Sequence, residues 1–207
     1  MKKTAIILIV ILFITSGCGY GQTKMTNNEL VDKEEEISEK KSLTDKLKPI
    51  RENFKRINSV KDWSLVDEKE LWETFLETLE GGEAKFYYYE EQLEKIVTHQ
   101  FGETFQVVTE YYLLNGEISF VFRKLYRYNR PMYYDLIMMK ENNDDEMFDF
   151  DKSEVIEDRC YFENGELIHH LKKQSGEISP FHNYYDYEGE KRIETDFEEL
   201  IRIAKKK

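Results

Sequence analysis

Two cysteines and four histidines are the residues of this 207-residue chain best suited to nucleophilic or metal chemistry. They are Cys18, Cys160, His99, His169, His170 and His182. No HExxH, CxxC, GxSxG or phosphate-loop pattern joins them. The sharpest pairing follows from a turn. Asn164-Gly165 reads as a two-residue hairpin loop, which sets Phe162 against Leu167 and Cys160 against His169. A thiol beside an imidazole suits a thiolate nucleophile or half of a metal site. A buried cysteine beside a core-edge histidine fits equally and is preferred, because spacing supplies no third ligand or orienting carboxylate. Asp144, Asp145, Glu146, Asp149, Asp151 and Glu154 form an acidic cluster that offers calcium oxygens. It lacks EF-hand spacing and the central glycine, so a solvated loop is expected. No cofactor and no metal is expected.

Aromatic and basic side chains offer binding chemistry instead. Tyr126, Tyr128, Tyr133, Tyr134, Tyr184, Tyr185 and Tyr187 exceed what a small core needs. Such rings stack on sugars or anchor a protein partner, although packing at the core edge is the simpler use. The stretch from Tyr126 to Lys152 is longer than a hairpin connection requires. Pro131 disfavours a central strand there, while part of Tyr133 to Met139 suits an added one. Long connections on a rigid scaffold often carry function. Arg127, Tyr128 and Arg130 are therefore candidate anchors for a protein or glycan partner.

The N-terminus supplies a different chemistry. Lys2 and Lys3 precede an uncharged apolar run from Ala5 to Ile14. That run is shorter than the roughly 20 residues needed to span a bilayer. Thr15-Ser16-Gly17-Cys18 follows, with small residues before a thiol. Residues 1–18 resemble the lipobox signal of bacterial lipoproteins. The resemblance implies a signal peptide over 1–17, palmitate-type lipidation of Cys18, and attachment to a membrane in the cell envelope. In a Gram-negative host, Gly19 would direct the protein to the outer membrane. An ordinary secretory signal cut near Gly17 is the alternative.

Composition bounds the rest. With Cys18 lipidated, Cys160 has no intrachain partner, so this is not a disulfide scaffold. The net charge of −12 repels nucleic acid and anionic lipid, and nucleic acid is excluded as a partner. Residues 18–44 hold Lys33-Glu-Glu-Glu36 and Glu39-Lys-Lys41 and few large apolar side chains. They read as a flexible tether, or alternatively a solvated mixed-charge helix. Residues 45–207 suffice for one globular α+β domain.

Periodicity gives that domain its elements. Leu47, Ile50, Phe54 and Ile57 lie on one helical face, with Pro49 expected near the helix start. Leu71, Trp72, Phe75, Leu76 and Leu79 form a second stripe, capped by Asp67 and Glu70. A helix is preferred there, although residues 68–80 also read as strand. From Glu83 the period becomes two. Phe86 to Leu93, Tyr111 to Ile118 and Cys160 to Leu167 are similar strand-turn-strand units, with a weaker copy at Tyr185 to Glu190. Asn115-Gly116 and Asn164-Gly165 are strong type I′ signals. Simple alternation puts Tyr111, Leu113, Ile118, Phe120 and Phe122 on one face, and Glu110, Ser119 and Arg123 on the other. It likewise joins Cys160, Phe162, Leu167, His169 and Leu171 against Tyr161 and His170. The expected fold is an antiparallel β-hairpin meander with one face covered by an N-terminal helix, plus a C-terminal helix. Thr195 and Glu198 would cap that last helix, with Phe197, Leu200, Ile201 and Ala204 on its face.

The units carrying Asn115-Gly116 and Asn164-Gly165 resemble those of MORN-like repeat proteins, without the regularly spaced glycines. The body resembles uncharacterised Gram-negative envelope lipoproteins. Neither resemblance implies an activity. The expected role is a non-enzymatic binding or accessory module. An inhibitor or immunity-type lipoprotein is the alternative, and a hydrolase the rival class.

Overall fold

The structure is a computed structural model that describes residues 27–71, 80–174 and 188–206. The chain divides into two units, Met1–Lys40 and Lys41–Lys207. The described part of the first is helical throughout. Helix α1 runs Asn27–Asn58, so of the two readings of the tether, the structure has helix from Asn27 onward. Pro49 lies inside α1 rather than near its start. It is solvent-exposed, so water can satisfy the carbonyl of Asp45 that a proline cannot pair with.

The second unit is built on one seven-stranded antiparallel meander, in sequence order. Its strands are β1 Leu65–Leu71, β2 Gly82–Tyr89, β3 Gln92–Gly102, β4 Phe105–Leu114, β5 Glu117–Arg127, β6 Glu154–Glu163 and β7 Glu166–Gln174. The short helix α2, Leu136–Glu141, lies between β5 and β6, and α3, Glu188–Lys205, closes the chain. The expected α+β meander with an N-terminal and a C-terminal helix is the fold observed.

Several local expectations are corrected. Asp67 and Glu70 are not a helix cap; both lie in β1, where their backbones pair with Phe86 and Glu83. The remainder of that stripe, 72–79, lies outside the described residues, as do Tyr184, Tyr185 and Tyr187, while the second half of the weaker hairpin copy, Glu188 to Glu190, is the start of α3 and not a strand. Thr195 sits within α3, which begins at Glu188. Tyr133 to Met139 adds no strand, because Asp135 accepts hydrogen bonds from Ile137 N and Met138 N and starts α2 there.

The three similar units are three hairpins. Asn115-Gly116 and Asn164-Gly165 take positive φ at both central positions, 56° and 85°, and 54° and 81°. Glu90-Glu91 makes the first turn with the same signs, 48° and 68°, without Asn or Gly. Each hairpin also carries one unpaired residue on its second strand. Glu94, Ser119 and Ile168 fall where the register shifts beside Tyr87/Tyr88, Tyr112/Leu113 and Tyr161/Phe162. A bulge of this kind resets which side chains face which way. Beyond it, Cys160 pairs with His170 and Tyr161 with His169, correcting the Cys160–His169 pairing. The same shift separates Phe120 from Ile118 in the middle hairpin.

Two clusters result, one on each sheet face. On the first, Leu47, Ile50 and Ile57 of α1 bury Tyr112, Phe120 and Tyr161, with Phe54 and Ile168 packed alongside. Phe54 lies 4.9 Å from the ring of Tyr112 and 5.4 Å from that of Phe120. The bulge residues point to α1. Arg56 holds Glu94 at 2.5 Å, and Asn53 Nδ2 donates to Leu113 O at 2.8 Å and to Ser119 Oγ at 3.5 Å. On the second face, α3 packs Leu200 with Ile193, Phe197, Ile201 and Ala204 against Phe86, Ile96, Tyr111, Leu113, Val121, Cys160 and Phe162. Both faces of the sheet are therefore covered, α3 lying over the side that alternation assigned to the core at Tyr111, Leu113, Cys160 and Phe162, and α1 over the side it assigned to water at Tyr161.

Candidate ligand cleft

Cross-strand register lays out the α3 face as parallel rows. Phe86, Ile96, Tyr111, Val121, Cys160 and His170 form one row. The next is polar: Thr98, Thr109, Arg123, Asp158 and Lys172. Beyond it come Gln100, Val107, Leu125 and Ile156, and then Phe105, Arg127 and Glu154. Residues paired across neighbouring strands project to the same side. Arg123 and Asp158 are therefore charged residues on a covered face, and Asp158 is buried. Simple alternation placed Arg123 in water because the bulge at Ser119 was not counted. Polar residues interrupting the α3-face row are the signal that would have found them.

Beneath α3 the polar row borders a cavity of about 60 Å³, room for a few waters. Its lining includes Tyr111, Arg123, Asp158, Cys160, His170 and, from α3, Arg192 and Asp196. His170 Nε2 lies 3.1 Å from Asp158 Oδ1. Thiol, imidazole and carboxylate thus share one face, although Cys160 is buried and the space over it is small. The Tyr111 phenol is pushed far above its usual range, first by burial and then by the negative charge of Asp196.

Gln100, Arg123 and Arg192 also line an adjoining open groove of about 590 Å³. Val107, Leu125 and Phe105 supply apolar walls, Thr104 a hydroxyl, and Arg127 and Tyr128 the remaining polar and aromatic groups. Arg127 is exposed and lies 3.5 Å from Glu154. Arg192 Nε lies 4.0 Å from Asp196. Tyr128 is half-buried, edge-on to the rings of Phe148 and Phe150. Burial raises its phenol above the usual value.

Arg130, the third candidate anchor, does not join this groove. Its guanidinium forks onto Asp144, with Nε and Nη2 each 3.0 Å from a carboxylate oxygen. Those bonds hold the Asp144 carboxyl far below the usual range, helped by the backbone N–H of Asp145. Glu146 accepts from Lys152 at 2.8 Å, and Asp149 accepts from Asp151 N to start a short 3-10 helix. Asp144, Glu146 and Asp149 are thus engaged in the fold of their own loop, and Glu154 lies in β6 beside Arg127. Among the described residues no group of three or more His, Cys, Asp and Glu is arranged to hold a metal ion. Of the other candidates, His99 bonds Gln106 at 2.9 Å and His169 packs on the Tyr161 ring at 5.6 Å. Cys18 and His182 lie outside the described residues. No described helix is long and apolar enough to cross a membrane.

Compared with protein-family models, curated proteins and solved structures, the chain has no match.

Proposed function

We propose that the chain is a lipid-anchored protein of the cell envelope that binds a partner rather than transforming a substrate. Cys18 carries the lipid, and the body presents a contact surface for a protein or glycan. In a Gram-negative host that places it at the outer membrane. One observation carries the binding half of this reading. The connection from Tyr128 to Ser153 is braced by its own polar contacts, yet Met132, Tyr133, Leu136 and Ile137 stay exposed on it. The bracing includes Arg130–Asp144, Lys152–Glu146 and Asn129 Nδ2 to Met147 O at 3.0 Å. Backbone bonds from Tyr128 N to Thr104 O and Met132 N to Glu103 O fix it to the β3–β4 turn. A rigid surface bearing large apolar and aromatic groups loses little entropy on binding. An inhibitor or immunity-type role is the same physical reading with a toxin or hydrolase as partner.

The test is a crosslinking pull-down from intact cells with the full chain. Arg127→Ala, or Ile137→Glu, should weaken capture without changing the melting temperature. Unaltered capture by both variants would refute the surface. Cys18→Ala should leave the precursor unprocessed; normal cleavage with lipid still attached would refute the anchor. The hydrolase reading has the Cys160, His170 and Asp158 arrangement in its favour. Rapid labelling of native Cys160 by a thiol reagent at neutral pH would support it, and slow labelling would count against it.

A further inference from the structure

We propose that the groove between the first turns of α3 and the ends of β4 and β5 binds a small organic anion, a phosphate or carboxylate head on a ring-sized apolar body. This goes beyond partner capture and stands on the groove itself. Three guanidiniums, those of Arg123, Arg127 and Arg192, line it, and none of the described lining residues is acidic. That concentration of positive charge occurs in a chain of net charge −12, whose overall field disfavours anions. Each guanidinium has five N–H donors in a planar fork that matches two oxygens of a carboxylate or phosphate. Each guanidinium has a carboxylate neighbour outside the groove lining, Glu154 at 3.5 Å from Arg127, Asp196 at 4.0 Å from Arg192 and Asp158 across the strand pair from Arg123, and a fork of five donors exceeds what one such neighbour takes up.

The apolar part follows from the rows. Arg123 and Arg127 are four residues apart on one face of β5, about 13 Å along the strand. Leu125 lies between them, beside Val107 on β4. A ligand reaching from one basic end must therefore cross apolar ground, with Phe105 and Tyr128 as aromatic borders. The volume of about 590 Å³ is in the range of small-molecule sites. Gln100 and Thr104 add neutral polar groups that can orient the head or a ring hydroxyl.

The test uses the full chain in non-ionic detergent, titrated by calorimetry with four probes. Phenyl phosphate and benzoate carry head and ring, inorganic phosphate carries the head alone, and benzyl alcohol carries the ring alone. At least one of the first two should bind more tightly than both of the last two, and their order tells phosphate from carboxylate. Binding should weaken as salt rises. Arg127→Gln with Arg192→Gln should weaken it by about tenfold or more, whereas Arg51→Gln, on α1, should leave it unchanged. If the double variant fails to fold, the exposed Arg127→Gln alone should still weaken binding severalfold. No binding by either ring-bearing anion, equal binding by benzyl alcohol or by inorganic phosphate, or equal losses with Arg51→Gln would each overturn the proposal. None of those outcomes bears on the pull-down, so the two readings fail separately.

Discussion

The first hairpin turn offers a direct test of the backbone argument. Glu90 and Glu91 occupy the positive-φ positions that Asn115-Gly116 and Asn164-Gly165 fill in the other two hairpins. A side chain bearing Cβ is strained there by about 1–2 kcal/mol per residue, and Asn and Gly relieve most of that. Glycine returns about 0.5–1 kcal/mol through the greater freedom of the unfolded chain. Replacing Glu90-Glu91 with Asn-Gly should therefore stabilise the protein by about 1 kcal/mol. The one hydrogen bond anchored here survives, because Ser64 Oγ accepts from the backbone N–H of Glu90 at 2.9 Å. For a chain of this size the melting temperature should rise by about 2–4 °C. The converse change is Gly165→Ala. A Cβ at Gly165 meets nothing within 4 Å, so its whole cost is backbone strain at φ +81°. It should lower the melting temperature by about as much. Thermal and urea unfolding of both variants make the assay. A fall with Asn-Gly, or no change in either variant, would refute the equivalence of the three turns.

Asn53→Leu should destabilise by about 1–3 kcal/mol in urea unfolding, because it leaves the buried carbonyl of Leu113 without its side-chain donor. His169 is held below its usual pKa, first by burial and then by Arg51 and His170. The unfolded chain therefore takes up the proton first, so His169 costs stability progressively as pH falls below about 6.5. His169→Gln should flatten that part of the stability–pH curve relative to wild type; parallel curves would remove the argument. Asp144 is depressed by Arg130, so its contribution is present above the ordinary carboxylate pKa and fades as pH falls through the folded value. Arg130→Ala should expose 128–153 to limited proteolysis while the sheet stays intact; an unchanged digestion pattern would show that the fork does not brace this connection.

Local chemistry was legible in the sequence wherever it was strong enough to act alone. Asn-Gly at 115–116 and 164–165 specified two turns, because few other residue pairs tolerate positive φ twice in succession. The strides of Leu47, Ile50 and Ile57, and of Phe197, Leu200 and Ile201, specified helices with one apolar face each. The similar segments showed that the hairpins are one unit repeated. Facing was decided only by tertiary structure. Glu94, Ser119 and Ile168 look like ordinary strand residues, and nothing within their hairpins marks them as the unpaired ones. Their contacts come from α1, in Arg56, Asn53 and the apolar stripe, far away in the chain. Each bulge shifts the alternation by one, so Cys160 meets His170 and Arg123 turns to the covered face. The groove follows from that shift and from α3 crossing the same face. Its arginines come from two elements whose meeting no local pattern encodes, because a strand's period says which side chains share a face but not what will cover it.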